Sequence, residues 1–185
     1  MTETIISIFL GVGLAASVGF RVFLPLFALS LASYFNVWEL NESWQWIGGI
    51  PALIVFGVAT VIEILAYYIP VVDNLLDAIA IPLAMVAGTA VMVSTVAELS
   101  PVVTWALAII AGGGTAATIK SASGATRLTS TVSTAGTGNG LVSTVETGSS
   151  IVMSIVSIFL PILAIVLVVV VFYTIFKLYK KIKPS

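Results

Sequence analysis

The sequence predicts an all-α integral membrane protein with four to five transmembrane helices, a broken first run and a membrane-embedded segment rich in Gly, Ser and Thr. Three observations predict it. Of 185 residues, 59% are hydrophobic and 8% charged, against roughly 45–50% and about 25% in an ordinary soluble domain. Several apolar runs reach the length of about 20 residues that a helix needs to cross a hydrocarbon core about 30 Å thick. Between Gly112 and Ser150, Gly, Ser, Thr and Ala supply 29 of 39 residues, and the charges there are Lys120, Arg127 and Glu146.

The same composition narrows the chemistry. With no Cys and no His there is no disulfide, no thiolate metal site and no imidazole base, so neither a metal nor a cofactor is expected. The seven Lys+Arg and eight Asp+Glu nearly cancel, leaving no field to recruit nucleic acid. An intramembrane enzyme with a Ser and Lys120 as its base is the weakest reading, because no G-x-S-x-G or paired signature accompanies them. The chain is expected not to be an enzyme.

Each element follows from the order of apolar and breaking residues, within a single domain over 1–185. The run from Thr4 to Phe35 is too long for one crossing and is interrupted by Gly19, Phe20, Arg21 and Pro25. It either crosses or returns to its own side. Met1 to Glu3 carries no positive charge on a side chain and no small-residue cleavage pattern precedes Arg21, so no cleaved signal peptide is expected. Asn36 to Gly49 mixes Trp38, Trp44 and Trp46 with Glu39, Asn41 and Glu42, the composition of a headgroup-level connection. Ile50 to Ile69 is a span bounded by Pro51 and Pro70 and broken chemically by Glu63. Val71 to Asp77 reads as a short acidic turn. Ala78 to Ala97 is the next span, ended by Glu98, Ser100 and Pro101.

Val102 to Ala111 begins a helix that Gly112 to Gly114 is expected to cut off at half the crossing length. Ile151 to Phe176 reads as the final span, followed by Lys177, Lys180, Lys181 and Lys183. By the positive-inside rule these lysines put the C-terminus in the cytoplasm. The Trp-rich connection then falls outside and the Asp73 to Asp77 turn inside, provided the first run returns to its own side.

The Gly112 to Ser150 segment admits two readings. One is a solvated Gly/Ser/Thr linker. The other, which we favour, is a set of short helical pieces inside the membrane, since the segment lacks Pro, has few charges and places Ile119, Leu128, Val132, Leu141, Val142 and Val145 at regular intervals. Small residues let helices approach closely there, and hydroxyls satisfy backbone groups freed by a break. Two small-residue stripes are candidates to receive it: Ala80, Ala84, Gly88, Val91 and Thr95, and Ser150, Ser154, Ser157, Pro161 and Ala164.

An ionisable group near the bilayer centre costs at least about 2.5–3.5 kcal/mol on insertion scales and seeks a partner or water. Arg21, Glu63 and Arg127 are the candidates, and pairing between arginine and carboxylate is the economical arrangement. For Arg21 the bland alternative is snorkelling to an interface, and for Glu63 a place at the inner end of its span. Helix capping and the helix dipole explain Asp73 and Asp77 without a functional role, as a helix end explains Glu98 and solvation Glu39 and Glu42. The small residues Gly11 to Gly19 before Arg21 are echoed by Gly112 to Gly124 before Arg127, as if two broken helices occupied corresponding halves, the pattern that marks a midplane site in transporters.

Three ordered blocks carry a resemblance over nearly the whole chain. They are Gly19-Phe20-Arg21-Val22-Phe23-Leu24-Pro25; then Glu63, Ile69-Pro70 and Asp73-Asn74-Leu75-Leu76-Asp77-Ala78-Ile79 ahead of Pro82; then Ser123-Gly124-Ala125-Thr126-Arg127 with Gly138-Asn139 leading into Val142-Ser143-Thr144-Val145-Glu146. The chain resembles a family of small bacterial inner-membrane proteins catalogued as a domain of unknown function. That resemblance implies a bacterial inner-membrane setting and marks Arg21, Glu63, Asp73, Asp77, Arg127, Asn139 and Glu146 as motif positions. It implies no activity. Tyr67 and Tyr68 depart from the family pattern, in which a charged residue often stands in that block.

Two function classes follow. One is a small transporter or channel for an ion or polar solute, its pathway drawn from Arg21, Glu63, Arg127, Asn139 and Glu146, with Asp73, Asp77 and Lys120 as secondary candidates. Helix N-termini with Arg21 and Arg127 would favour an anionic group. The other is a non-transporting scaffold or lipid-interacting subunit in which small residues serve packing alone. The bilayer is the expected partner in both, and the Ala/Gly faces suit a homo-oligomer.

Overall fold

The computed structural model describes residues 1–97 and 99–182. Among them are eight α-helices, which we number in chain order: α1 (Thr2–Phe20), α2 (Phe23–Tyr34), α3 (Ile50–Ala66), α4 (Pro70–Thr95), α5 (Pro101–Leu107), α6 (Gly114–Thr134), α7 (Asn139–Phe159) and α8 (Pro161–Ile182). A short 3-10 turn, Glu42–Gly48, precedes α3 at a bend of 61°, and one π-helical stretch, Ala108–Gly113, joins α5 to α6. Five helices are long and apolar enough to cross a bilayer. The expected ends formed by Glu98 and by Lys183 lie outside the described residues.

Proline marks where these helices begin. Pro51, Pro70 and Pro101 occupy the first or second helical position, and Pro161 opens α8. The first amides of a helix have no intrahelical acceptor, so a residue without N–H loses nothing there.

The first run doubles back on itself, so that both its ends lie at one end of α4. Near the start of α1, Ser7 Oγ accepts a hydrogen bond from Ala97 N, just beyond α4. After α2, Asn41 N donates to Ser94 O at that same end of α4. Between them the chain turns at Arg21, whose backbone is extended (φ −137°, ψ 128°). The pair α1–α2 is therefore a helical hairpin with its turn at the far side. Leu10, Leu14, Val18, Val22, Leu26 and Leu29 from it form one buried core with Ala84, Ala87 and Val91 of α4.

Four sequence expectations are corrected. Val71 to Asp77 is not a turn but the first two turns of α4, because Pro70 starts the helix that early. Gly112 to Gly114 does not end a half-helix: α5, the π stretch and α6 run on as one helical path from Pro101 to Thr134. The glycines widen the path slightly and let it press on α4, where a Cβ on Gly88 would come within 2.6 Å of Ala116 Cβ and 2.8 Å of Gly112 O. Because α6 is unbroken through Arg127, the echo between two broken helices does not extend to the second half. Finally, Ile151 to Phe176 is not one span. It is split at Leu160–Pro161, where the backbone leaves the helix (Leu160 φ −138°, ψ 62°), and its halves belong to two antiparallel helices.

The Gly112 to Ser150 segment is helical along most of its length, as α6 and the first half of α7, joined by a turn in which Ala135 and Gly136 take positive φ. It packs on the stripe through Gly88. The second stripe serves a different neighbour: Ser17 Oγ lies 2.8 Å from Ser150 Oγ and 2.7 Å from Ser154 Oγ, and a Cβ on Gly13 would meet Ala164 Cβ at 2.8 Å. The small-residue faces that argued for contact between subunits are thus occupied within the chain. Helix α8 runs from Ala164, beside Gly13, toward the Phe20 end of α1, where Ile175 joins the cluster around Ala16, Ile119 and Val168. Its lysines therefore emerge at the end where the first hairpin turns.

Candidate functional site

A helix that stops inside a packed protein leaves carbonyls at one end and amides at the next. At the hairpin turn both are covered by charged side chains. Glu63 of α3 accepts hydrogen bonds from Val22 N (2.7 Å, Oε1) and Phe23 N (2.9 Å, Oε2), so its carboxylate caps the N-terminus of α2. Lys120 of α6 donates from Nζ to Phe20 O at 3.4 Å, covering the C-terminus of α1. Each charge sits at the helix end whose partial charge it opposes. No serine hydroxyl accepts a bond from Lys120 among the described residues; Phe20 O is its hydrogen-bond acceptor.

Arg21, held between these caps, is 0% exposed, which overturns the snorkelling alternative. Its Nε donates to Thr147 Oγ1 (3.0 Å) and its Nη2 to Ser143 O (2.8 Å), while Glu146 Oε2 lies 3.6 Å from Nη2. Arg127, 2% exposed, is bound more completely. Nη1 donates to Asp73 Oδ1 at 2.7 Å, Nη2 and Nε fork onto the two oxygens of Glu146, and Asp77 Oδ2 lies 4.0 Å from Nε. The forked geometry matches a planar guanidinium to a planar carboxylate and is among the strongest side-chain pairings. Ser123 Oγ adds a further donor to Glu146.

The aspartates do not cap α4 from its N-terminus. The residue before that helix is Ile69 and no side-chain cap bond forms there; Asp73 instead serves Arg127 and, through Oδ2, Asn139 Nδ2 at 3.0 Å. Asn139 Nδ2 also donates to Thr131 Oγ1 at 2.9 Å.

One ring stands at the centre of all three cations. Tyr67, 3% exposed, lies 4.3 Å from Arg21 Cζ, 4.2 Å from Arg127 Cζ and 5.1 Å from Lys120 Nζ, measured to the ring centroid. Such distances place the cations in reach of the negative π face. Tyr67 is thus a ring shared by three cations.

The structure thus brings together every residue singled out from the sequence: Arg21, Glu63, Asp73, Asp77, Lys120, Arg127, Asn139 and Glu146. Sequence reasoning missed Tyr67, Ser143, Thr147, Ser123 and Thr131 as members. Spacings of four put Tyr67 on one helix face with Glu63, Ser123 and Thr131 with Arg127, and Ser143 with Asn139, a signal the sequence offered for these four. Among the described residues no three acids are grouped so as to hold a metal ion. Three polar atoms within the network are buried without a partner: Arg21 Nη1, Asp77 Oδ1 and Asn139 Oδ1.

The chain belongs to the family described as a domain of unknown function (DUF4126), whose profile matches residues 8–181. No curated protein and no solved structure matches it.

Proposed function

We propose that this member of that family is a small membrane transporter or channel for an ion or small polar solute, working in a bacterial inner membrane with its C-terminal lysines in the cytoplasm. One observation supports it above others. Seven charged side chains and Asn139, drawn from α3, α4, α6, α7 and the turn of the first hairpin, converge in a multi-pass membrane protein and still leave polar atoms unpartnered. Burying so many charges costs several kcal/mol per ion before pairing, and a domain packing only for stability would hold apolar residues there. Ionisable groups within membrane proteins cluster where ions or protons pass. The orientation rests on the lysines of α8 leaving at the same end.

The anionic preference expected from two arginines becomes narrower. All three donor nitrogens of Arg127 are within reach of carboxylates, leaving Arg21 Nη1 as the free guanidinium nitrogen.

The test is flux of alkali cations, chloride and small organic ions in liposomes carrying the full chain, with Arg21→Gln for comparison. Wild-type flux above empty liposomes, lost in Arg21→Gln at unchanged helical content, supports the reading. Flux no greater than in empty liposomes for every solute overturns it and leaves the non-transporting scaffold.

A further inference from the structure

Away from the charged network, at the other end of the first hairpin, the Trp-rich connection borders a cavity of about 490 Å³. Its walls come from the C-terminus of α2, from the connection itself and from the 3-10 turn ahead of α3. Six of the side chains lining it carry polar or aromatic groups: Ser33, Tyr34, Asn36, Trp38, Glu39 and Gln45. Contacts behind the cavity fix these walls. Ser30 Oγ donates to Ile47 O at 2.6 Å, tying α2 to the turn, and Gly48 lies so close to Ser33 that a Cβ there would collide with its hydroxyl. Trp38 packs against the buried core that contains Leu29, Leu40 and Ile47, so its ring is in place before any ligand arrives. A pre-formed pocket of about 300–1,000 Å³ with a few convergent polar groups is what small-molecule sites have in common.

Charge at this cavity favours a cation. Glu39 supplies a full negative charge, and α2 ends at the wall with Ser33 and Tyr34 in its last turn, which brings the negative pole of the helix dipole there. Tyr34 and Trp38 add rings, whose negative π faces hold ammonium groups. Among the described residues no basic side chain offsets this: Arg21, Lys120 and Arg127 converge on Tyr67, and Lys177 and Lys180 end α8 on the opposite side. Glu3 in the first turn of α1 and Glu42 in the 3-10 turn reinforce the negative end, against the amino group of Met1. The connection is held by backbone bonds, Asn36 N to Ser33 O, Val37 N to Ala32 O and Gly49 N to Trp46 O. The exposed side chains of Asn36, Glu39 and Gln45 therefore keep their oxygens for a ligand.

We propose that this cavity binds an organic ammonium group, with Glu39 as its counter-ion, Tyr34 and Trp38 as the rings against it, and Asn36 and Gln45 accepting from its N–H donors. A bare alkali ion is the poorer match, because the cavity is wide and partly walled by rings whereas such ions need oxygens that replace their hydration shell. An anion would meet Glu39 with no basic side chain beside it. Two sources carry the group: the ethanolamine head of a phospholipid, and a soluble amine. Trp38, Trp44 and Trp46 place the cavity at headgroup level, where both arrive. The site does not depend on the transport reading, since the charged network lies at the hairpin turn, at the opposite end of α1 and α2.

The experiment titrates the purified full chain, in an uncharged detergent at neutral pH, with ethanolamine hydrochloride, with NaCl at equal ionic strength and with glucose. Tryptophan emission is the readout, since Trp38 lines the cavity. In a second arm the micelles carry phosphatidylethanolamine or phosphatidylglycerol. The expected result is a saturable change with ethanolamine or phosphatidylethanolamine, absent with NaCl and phosphatidylglycerol, whose half-saturation rises about tenfold or more in both Glu39→Gln and Tyr34→Leu. Both positions are exposed, so the variants keep the fold. A response confined to the lipid arm assigns the ligand to a phospholipid head, and a response to free ethanolamine assigns it to a soluble amine. No saturable response in either arm overturns the proposal, as does a response that either variant leaves unchanged. An equal response to glucose also overturns it, because the site is then one for a neutral polyol. Flux plays no part in this readout, so failure of the transport reading leaves the ammonium site standing, and failure of the site leaves the transport reading standing.

Discussion

Arg127→Gln is the perturbation that most directly tests how the network is held. In the wild type this guanidinium joins Asp73 through Nη1 and both oxygens of Glu146 through Nη2 and Nε. Gln keeps a hydrogen-bond donor but removes the charge, so Asp73, Asp77 and Glu146 are left facing Arg21, whose nearest carboxylate contact is 3.6 Å. Removing one partner of a buried pair typically costs about 3–5 kcal/mol, because the other charge stays buried and uncompensated. Against a whole stability of about 5–15 kcal/mol for a folded domain, that is a large fraction. The assay is reversible unfolding in mixed micelles followed by far-UV circular dichroism, as a double-mutant cycle with Glu146→Gln. The double variant should be less destabilised than the sum of the singles, by a coupling of about 0.5–3 kcal/mol, since two residues in one network do not act independently. A cost for Arg127→Gln below about 1 kcal/mol, or strict additivity with Glu146→Gln, would refute the claim that mutual compensation holds these charges in place.

Two further predictions concern packing and topology. Gly88→Ala should destabilise by about 1–3 kcal/mol through overpacking, because its Cβ meets the Gly112 carbonyl and Ala116, whereas Gly124→Ala, with nothing within 4 Å, should be neutral or stabilising by up to about 1 kcal/mol; equal effects in thermal unfolding would show that the α4–α6 contact is misread. The chain has no Cys, so single cysteines at positions 2, 39 and 180 report sidedness. In intact bacteria a membrane-impermeant maleimide should label Thr2→Cys and Glu39→Cys but reach Lys180→Cys only after permeabilisation, and opposite labelling of positions 2 and 39 would mean that the first run crosses.

What the sequence determined by itself is what local chemistry determines. Apolar length against bilayer thickness sets which runs are helices in a membrane. Prolines set where α3, α4, α5 and α8 begin, and an arginine in an apolar run demands a carboxylate wherever it is found. That is why Arg21, Glu63 and Arg127 could be named before any contact was known, whereas Asn139 and Glu146 were marked by the family resemblance.

Tertiary structure decided everything that depends on which neighbour an element meets. Gly112 to Gly114 reads locally as a break, because glycine weakens an isolated helix; packed on Gly88, the missing side chains become the reason the helix continues. Asp73 and Asp77 read locally as helix caps, yet Arg127, fifty or more residues away, offers a full charge, which outweighs a helix-end dipole. Ile151 to Phe176 has the length of one span, and only the backbone at Leu160, with Ser150, Ser154 and Ser157 drawn to α1 and α8 folded back, divides it. The spacing of Tyr67 from Glu63 does not foretell its three cations, which converge on the ring from the hairpin turn and from α6 through the fold rather than through spacing along the chain.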